Sequence, residues 1–143
     1  RNKALSVDHL ERMGAEEIEV LRTSGTMPTM LPGAAFFLEM PYPPARAMIE
    51  GGLSVALASD FNPGSPPSGS LKMIVSPAPI EAINAATLNG AYAMGLSSEY
   101  GSITVGKKAN FFLTTKIPSV AYLPYAYTSP LIHRVFLRGQ EVK

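Results

Sequence analysis

The chain has 143 residues, of which 46% are hydrophobic and 16% charged, and its net charge is +1 at pH 7. This composition is typical of a globular protein and excludes a strongly basic surface, so we expect no nucleic-acid partner. The absence of cysteine excludes disulfides and thiolate metal sites. No apolar run approaches the roughly 20 residues that span a bilayer, and we expect a cytoplasmic protein without membrane contact.

Two strand–helix units are predicted in the first third of the chain. Residues 4–10 form an apolar stretch, residues 11–22 have apolar positions on one helical face, and Gly25 supplies a stop. Residues 26–38 predict a buried strand followed by a loop. Residues 43–52 predict a short helix that a proline begins and two glycines end.

A third unit begins with a nearly continuous apolar run over residues 53–58, which is typical of a parallel strand covered on both faces. A polar loop over residues 59–69 follows it, and residues 70–76 allow only a two-turn helix before the prolines. A longer helix is predicted over residues 79–96 from apolar spacings of three and four. Three such units predict a parallel α/β structure with its chemistry after the carboxyl ends of the strands.

The last part of the chain changes character after Gly101. Short apolar runs at residues 103–105, 110–114 and 134–137 predict a small β region. We therefore divide the chain into an α/β part, residues 1–98, and a β part, residues 99–143. The tyrosine-rich stretch over residues 122–127 favours packing or an interface.

Asp60 is the strongest candidate for a functional residue. It follows a buried apolar strand, where a carboxylate is costly to desolvate unless it pairs, accepts hydrogen bonds or binds a metal. An aspartate followed by Asn-Pro-Gly is equally typical of a turn in which the side chain caps backbone N–H groups. Both interpretations stay open on the residues alone.

Other polar residues occupy the same predicted sheet edge. His9 follows the first strand, where an imidazole could ligate a metal, accept a proton or stabilise an oxyanion, although a lone histidine is more often structural. Asn62, Gly64 and Ser65 could form a substrate loop or a plain turn. Ser65 has no Gly-x-Ser-x-Gly context, which argues against a nucleophilic serine. His133, in the β region, is assigned a structural or surface role.

Four segments, in this order, carry a resemblance to a known family: Ser6-Val-Asp-His9-Leu-Glu11, Leu31-Pro-Gly-Ala34, Ala58-Ser-Asp60-Phe-Asn62-Pro-Gly64-Ser65 and Ala82-Ile-Asn-Ala-Ala-Thr87-Leu-Asn89. Together they resemble the imidazolonepropionases of the amidohydrolase superfamily. The resemblance covers nearly the entire chain, and the Asp-Phe-Asn-Pro-Gly run is its most specific part. Asn110 stands where many superfamily members carry aspartate.

The resemblance implies the C-terminal portion of a (β/α)8 TIM-like barrel, its last three strand–helix units, plus part of a small β-sandwich. It implies one divalent metal ion, zinc or iron, with Asp60 as a ligand and His9 as a catalytic residue beside it. Asn62 and Gly64 would contact the open-chain product and Ser65 the ring substrate. The implied reaction is hydrolysis of the cyclic amide of 4-imidazolone-5-propanoate to N-formimidoyl-L-glutamate in histidine degradation, by an expected homodimer.

The family also needs residues that have no counterpart in these 143. These are the first-strand His-x-His pair, a fifth-strand histidine, a general-base glutamate and a substrate arginine. A catalytic metal needs about three protein ligands, so this chain alone should be inactive. Its first residue is Arg1 and not methionine, and we expect it to lie inside a longer parent chain. Alternatives are another amidohydrolase, deaminase-like or hydantoinase-like, and a non-catalytic packing or dimerisation module.

Overall fold

The structure is a computed structural model that describes residues 3–66, 68–74 and 79–142. Its strands and helices, in chain order, are β1 (Ser6–Asp8), α1 (Ala15–Ser24), β2 (Met27–Met30), α2 (Pro32–Phe37), α3 (Ala45–Glu50), β3 (Ala56–Leu57), α4 (Leu71–Ile74), α5 (Pro79–Asn84), a π-helical segment (Ala85–Asn89), α6 (Gly90–Ala93), β4 (Phe111–Thr114), α7 (Tyr122–Tyr125), β5 (Ile132–Leu137) and β6 (Gln140–Val142). None of the helices in these ranges is long and apolar enough to cross a membrane.

The first three strands form one parallel sheet in the order β1-β2-β3. In its register Asp8 lies opposite Thr29, and Thr29 lies opposite Ala56. The predicted parallel α/β structure is therefore confirmed. Because the strands run the same way, the segments that follow them emerge at one edge of the sheet.

Helix α1 was predicted over residues 11–22 and spans Ala15–Ser24, so it begins four residues later than predicted. The carboxylate of Glu17 accepts a hydrogen bond from the backbone N–H of Gly14, with 2.9 Å between Oε2 and N, which satisfies a free donor of the first turn. Gly25 follows the last turn with φ of 73°, a left-handed conformation that glycine adopts without steric conflict. The predicted stop at Gly25 is confirmed.

Helix α2 and strand β3 differ from the sequence predictions. The predicted loop after β2 contains helix α2, since Pro32 occupies a first helical position, where its missing N–H is no loss. Strand β3 has two residues instead of the predicted six. The N–H of Leu53 still bonds to the carbonyl of Met48 near the end of α3. Residue 53 therefore belongs to the turn after this helix and not to the strand.

The core lies between the parallel sheet and its covering helices. Met30 of β2 and Val55 beside β3 pack with Met48 of α3 and Ala85 of the π-helical segment. Met48 is completely buried. Partly buried apolar side chains surround this cluster, including Leu10 and Ile18. The sheet is thus held by a small core of methionine, valine and alanine.

The helix predicted over residues 79–96 ends at Ala93 and contains a π-helical segment in its middle. The hydroxyl of Thr87 donates to the carbonyl of Ile83 at 2.6 Å, a side-chain bond that competes with the regular helical pattern. The side-chain amide of Asn89 donates to the carbonyl of Val55 at 2.7 Å. This second bond ties the helix to the strand that precedes the Asp60 loop.

Replacing Asn89 by alanine is expected to lower the free energy of unfolding by about 1–3 kcal/mol, because a partly buried carbonyl loses its side-chain donor. Urea unfolding measures this change. Asn84 is an exposed asparagine of the same helix, and its replacement by alanine should change the free energy by less than about 0.5 kcal/mol. Equal effects of the two variants would contradict a special role for the Asn89 bond.

The last three strands form a separate antiparallel sheet in the order β4-β5-β6. Phe111 and Phe136 stack across it with ring centroids 4.7 Å apart. The side-chain oxygen of Asn110 accepts a hydrogen bond from the N–H of Arg138 at 2.8 Å, so an amide serves here as a carboxylate would. The predicted strands at 110–114 and 134–137 are confirmed.

The predicted strand at residues 103–105 is wrong, and β6 was not predicted. Ile103 is 88% exposed, and the chain forms a turn there in which the N–H of Lys107 bonds to the carbonyl of Thr104. An apolar run of three residues is too short to distinguish a strand from an exposed turn. The tyrosine-rich stretch forms the short helix α7, in which Tyr122 packs against Tyr125.

Candidate functional site

The two principal site candidates follow the outer strands of the parallel sheet. His9 comes directly after β1, and Asp60 comes three residues after β3. Neighbouring strands lie about 4.8 Å apart, so two outer strands of a three-stranded sheet are separated by about 10 Å. The topology therefore places His9 and Asp60 at the same end of the sheet, where the carboxyl ends of the strands lie. They stand on opposite sides of the end of β2.

Both candidates have a left-handed backbone conformation, which residues other than glycine rarely adopt. The φ angle is 73° at His9, 71° at Leu10 and 53° at Asp60. A left-handed residue other than glycine costs roughly 1–2 kcal/mol, and it persists only where its surroundings hold it. Lys3, Glu39 and Arg138 also have positive φ angles, so this conformation alone does not identify the site.

The loop after β3 is closed by side-chain hydrogen bonds around Asp60. The hydroxyl of Ser65 lies 2.7 Å from Asp60 Oδ2 and 2.6 Å from the Asp60 carbonyl oxygen, and its single hydrogen serves one of them at a time. The amide nitrogen of Asn62 lies 2.7 Å from Ser65 Oγ and 3.2 Å from Asp60 Oδ1. Asn62 Oδ1 accepts from the N–H of Gly64 at 2.9 Å. Four of the five predicted site residues thus form one network.

This network bears on the two interpretations of Asp60. Its carboxylate accepts hydrogen bonds from its own loop, as the turn interpretation predicts. An ionised carboxylate offers about four lone-pair sites, and these two donors occupy at most two of them. Hydrogen bonds to a ligating carboxylate also fix its orientation. The turn role and a ligand role for Asp60 are therefore compatible.

The loop rests on helix α2 through a glycine. A Cβ added to Gly33 would lie 3.3 Å from both Cβ and Cγ of Pro66, which is completely buried. Ser65, just before that proline, is only 7% exposed. The Leu-Pro-Gly segment therefore supports the position of the Asp60 loop. In the sequence, this close contact is indicated by a glycine directly after a proline that begins a helix.

His9 makes its described hydrogen bond to Glu11 and not to the Asp60 loop. Its Nδ1 lies 3.1 Å from Glu11 Oε1. The imidazole is 46% exposed and the Glu11 side chain only 13% exposed. Glu11 was predicted to lie at the start of a helix, and its contact with His9 was not predicted. The only signal for that contact was a carboxylate two residues after a histidine. His133 lies exposed on β5, in the other sheet, in agreement with its predicted surface role.

Thr29 of β2 is a further polar residue that sequence reasoning missed. Thr29 is 7% exposed, and its hydroxyl is buried with no hydrogen-bond partner among the described residues. It precedes Met30, which packs toward the helices, so alternation along the strand places Thr29 on the opposite face. An unsatisfied buried hydroxyl costs about 1–3 kcal/mol.

Replacing Thr29 by valine, which has nearly the same shape, is expected to raise the free energy of unfolding by about 1 kcal/mol. The reason is that the unpartnered hydroxyl is removed while the side-chain volume is kept. Urea unfolding measures the change, and Thr128→Val, at an exposed position, is the control. A loss of stability specific to Thr29→Val would show that this hydroxyl has a hydrogen-bond partner.

The described residues do not complete a metal site by themselves. No group of three or more histidine, aspartate or glutamate side chains converges within the ranges that the structure covers. The loops at the sheet edge supply one carboxylate, Asp60, and one imidazole, His9. Both are suitable donors for zinc or iron, but a catalytic ion needs about three protein ligands.

An apolar cavity of about 260 Å³ lies elsewhere, against the helix-covered face of the sheet. Met30, Ile49 and Ala85 contribute to its wall, together with Arg46 and Glu81. Those last two form an ion pair with 2.7 Å between Arg46 Nη2 and Glu81 Oε2, and the hydrogen bonds from Arg46 hold the pKa of Glu81 below its usual value. Neither His9 nor Asp60 lines this cavity, so it is distinct from the candidate site.

Relatives with known names match almost the whole chain. The imidazolonepropionase of Flavobacterium johnsoniae is 56% identical over 144 residues, which cover 96% of this chain and 35% of that protein. The imidazolonepropionase of Bacillus velezensis is 40% identical over 147 residues, covering 97% of this chain and 35% of that protein. The chain therefore spans about a third of the length of the curated relatives it matches.

Solved structures show the same fold. A zinc-bound adenosine deaminase from Xanthomonas campestris superposes with a TM-score of 0.82 at 23% identity, over 98% of this chain and 37% of that one. The guanine deaminase of E. coli gives a TM-score of 0.76 at 17% identity, over 96% of this chain and 38% of that one. The sequence profile described as the Amidohydrolase family matches residues 6–142. The chain, with its parallel sheet and its Asp60 loop at the carboxyl edge, belongs to the amidohydrolase family.

Proposed function

We propose that this chain is the C-terminal part of a longer imidazolonepropionase. That enzyme would hydrolyse the cyclic amide of 4-imidazolone-5-propanoate to N-formimidoyl-L-glutamate, a step of histidine degradation. The observation that carries the proposal is the 56% identity to the imidazolonepropionase of Flavobacterium johnsoniae over 144 residues. The closed network around Asp60 supports it, since it orders candidate metal-binding and substrate-binding residues in one loop.

In this proposal the two sheets belong to two parts of the parent protein. Residues 1–98 supply the last three strand–helix units of a (β/α)8 barrel, and residues 99–143 supply strands of a small β-sandwich. The separation of the parallel sheet from the antiparallel one supports this division. Active sites of such barrels lie at the carboxyl ends of the strands, which is the edge that carries His9 and Asp60.

The proposed roles follow from the donors and acceptors at that edge. Asp60 would serve as one ligand of a divalent ion, zinc or iron, and Ser65 and Asn62 would hold its carboxylate in a fixed orientation. Such an ion, when bound, polarises the amide carbonyl and lowers the pKa of water. His9 would donate a hydrogen bond to the developing oxyanion or accept a proton from the attacking water.

Asn62, Gly64 and Ser65 are the proposed contacts to substrate and product. In the structure their polar groups bond to one another and to Asp60. A ligand would exchange some of these bonds for its own, which leaves no buried group unpaired before or after binding. The loop would thus be preorganised for a polar ring such as an imidazolone. The parent enzyme would act on this small molecule in the cytoplasm as a homodimer, without a nucleic-acid partner.

An assay of the purified full-length protein on three substrates tests the function. We expect N-formimidoyl-L-glutamate to form from 4-imidazolone-5-propanoate, detected by chromatography, and no product from adenosine or from hydantoin. Turnover of adenosine or hydantoin alone would indicate another amidohydrolase. No turnover of any of the three would contradict the proposal and favour a non-catalytic module.

A further inference from the structure

We propose that Glu11 is a positioning residue for His9, and that it fixes the imidazole in the form whose Nε2 carries the free lone pair. This inference rests on the proposed function, in which His9 acts at the site. The observation behind it is the contact of 3.1 Å between His9 Nδ1 and Glu11 Oε1.

The chemistry of the two groups determines which ring nitrogen carries the hydrogen. An ionised carboxylate only accepts hydrogen bonds, so the nitrogen that faces it must donate. A neutral imidazole has one N–H, and with that N–H at Nδ1 the lone pair is at Nε2. The group across the ring from Glu11 is then an acceptor, able to receive a proton or bind a water hydrogen. Without Glu11 the two forms of the ring would compete.

The burial of the Glu11 side chain distinguishes the pair from an ordinary surface contact. The Glu11 side chain is 13% exposed, whereas the imidazole is 46% exposed. The carboxylate is therefore covered while much of the ring stays open. A partly buried carboxylate gains more from a hydrogen-bond donor than an exposed one does. This arrangement is the carboxylate–histidine pairing that orients imidazoles at functional centres.

The backbone between the two residues holds them together. His9 and Leu10 are both left-handed, with φ of 73° and 71°, and this reversal returns the chain so that Glu11 faces the ring two residues before it. Leu10 packs against the core formed around Met30 and Met48. The N–H of Met13 bonds to the Leu10 carbonyl at 3.2 Å and closes the turn. The strained conformation is thus maintained by core packing, and it places Glu11 specifically against His9.

The test uses Glu11→Gln in the full-length enzyme, with Glu11→Ala as a second variant. Glutamine keeps the size of the side chain, but its amide can bond to either form of the ring. We expect kcat on 4-imidazolone-5-propanoate to fall about 10-fold in Glu11→Gln and about 10–100-fold in Glu11→Ala. KM should change less than about twofold, because no substrate contact is removed. Glu16→Gln, at an exposed position of α1, is the matched control and should leave kcat unchanged.

Nitrogen NMR of histidine-labelled protein supplies a readout independent of activity. The His9 signals, assigned by their loss in His9→Asn, should show one form protonated at Nδ1 in the unaltered protein and a mixture of two forms in Glu11→Gln. An unchanged single form in that variant, or an unchanged kcat, would overturn the proposal. If the unaltered enzyme does not turn over the imidazolone, the proposed function fails, and the NMR comparison alone still decides whether Glu11 positions His9.

Discussion

Asp60→Asn in the full-length enzyme is expected to lower kcat/KM on 4-imidazolone-5-propanoate more than about 100-fold, since even outer-shell partners of metal ligands contribute 10–100-fold. Bound zinc or iron per protein, measured by elemental analysis, should fall as well. Asparagine keeps an oxygen that can accept from Ser65 and loses only the 3.2 Å acceptor of Asn62, whose amide still bonds to Ser65 Oγ, so the loop of residues 60–65 should retain its conformation. The loss would then reflect the missing carboxylate charge and not a rearranged loop.

The control for Asp60 is Glu50→Gln, which removes a carboxylate from an exposed position at the end of α3. It should leave both metal content and kcat/KM unchanged. Circular dichroism spectra of the two variants should match that of the unaltered protein. Full metal content together with full activity in Asp60→Asn would exclude Asp60 as a ligand and leave it only the turn role.

Gly101→Ala is expected to lower the free energy of unfolding by about 3 kcal/mol, from overpacking and an unfavourable φ angle together. An added Cβ would lie 2.8 Å from the Cβ of Ala91 and 2.9 Å from the carbonyl oxygen of Thr87. The carbonyl oxygen of Thr87 belongs to the helix backbone, so it cannot move away by a side-chain rotation. The φ angle of 90° at Gly101 adds strain for any residue with a side chain.

Gly106 provides a matched control, because it has nearly the same φ angle, 91°, and nothing within 4 Å of an added Cβ. Gly106→Ala should therefore lower the free energy of unfolding by only about 1 kcal/mol, the contribution of φ alone. Chemical unfolding of both variants in the full-length protein measures the difference. Equal losses would show that the helix moves away at no cost and that the close approach of Gly101 is unimportant.

The sequence predicted those features that are encoded in contiguous residues. The apolar run before Asp60 marked a buried strand, and Gly25 marked the end of α1, because each signal lies within the element that it describes. The site loop was predictable for the same reason. Asp60, Asn62, Gly64 and Ser65 are close in sequence, so a single turn brings them together.

Features that depend on contacts between distant segments were missed. The π-helical segment is accompanied by the bond from Asn89 to the carbonyl of Val55, and no local periodicity reports a partner 34 residues away. The unpaired hydroxyl of Thr29 became visible only when burial was known. The pairing of His9 with Glu11 depends on two left-handed residues, a conformation that sequence patterns do not predict for leucine.

The π-helical segment also allows one helix to face two partners. Ala82, before the segment, and Ala85, at its first position, lie toward the cavity beside Met30, and Ala93, after it, lies against Met27 and Ala56. Each residue advances an α-helix by about 100°. Removing a single residue between positions 85 and 89 would therefore turn Ala93 away from the strands while Ala82 stayed in place. The length of this segment is thus fixed by the contacts of Ala82 at one end and of Ala93 at the other.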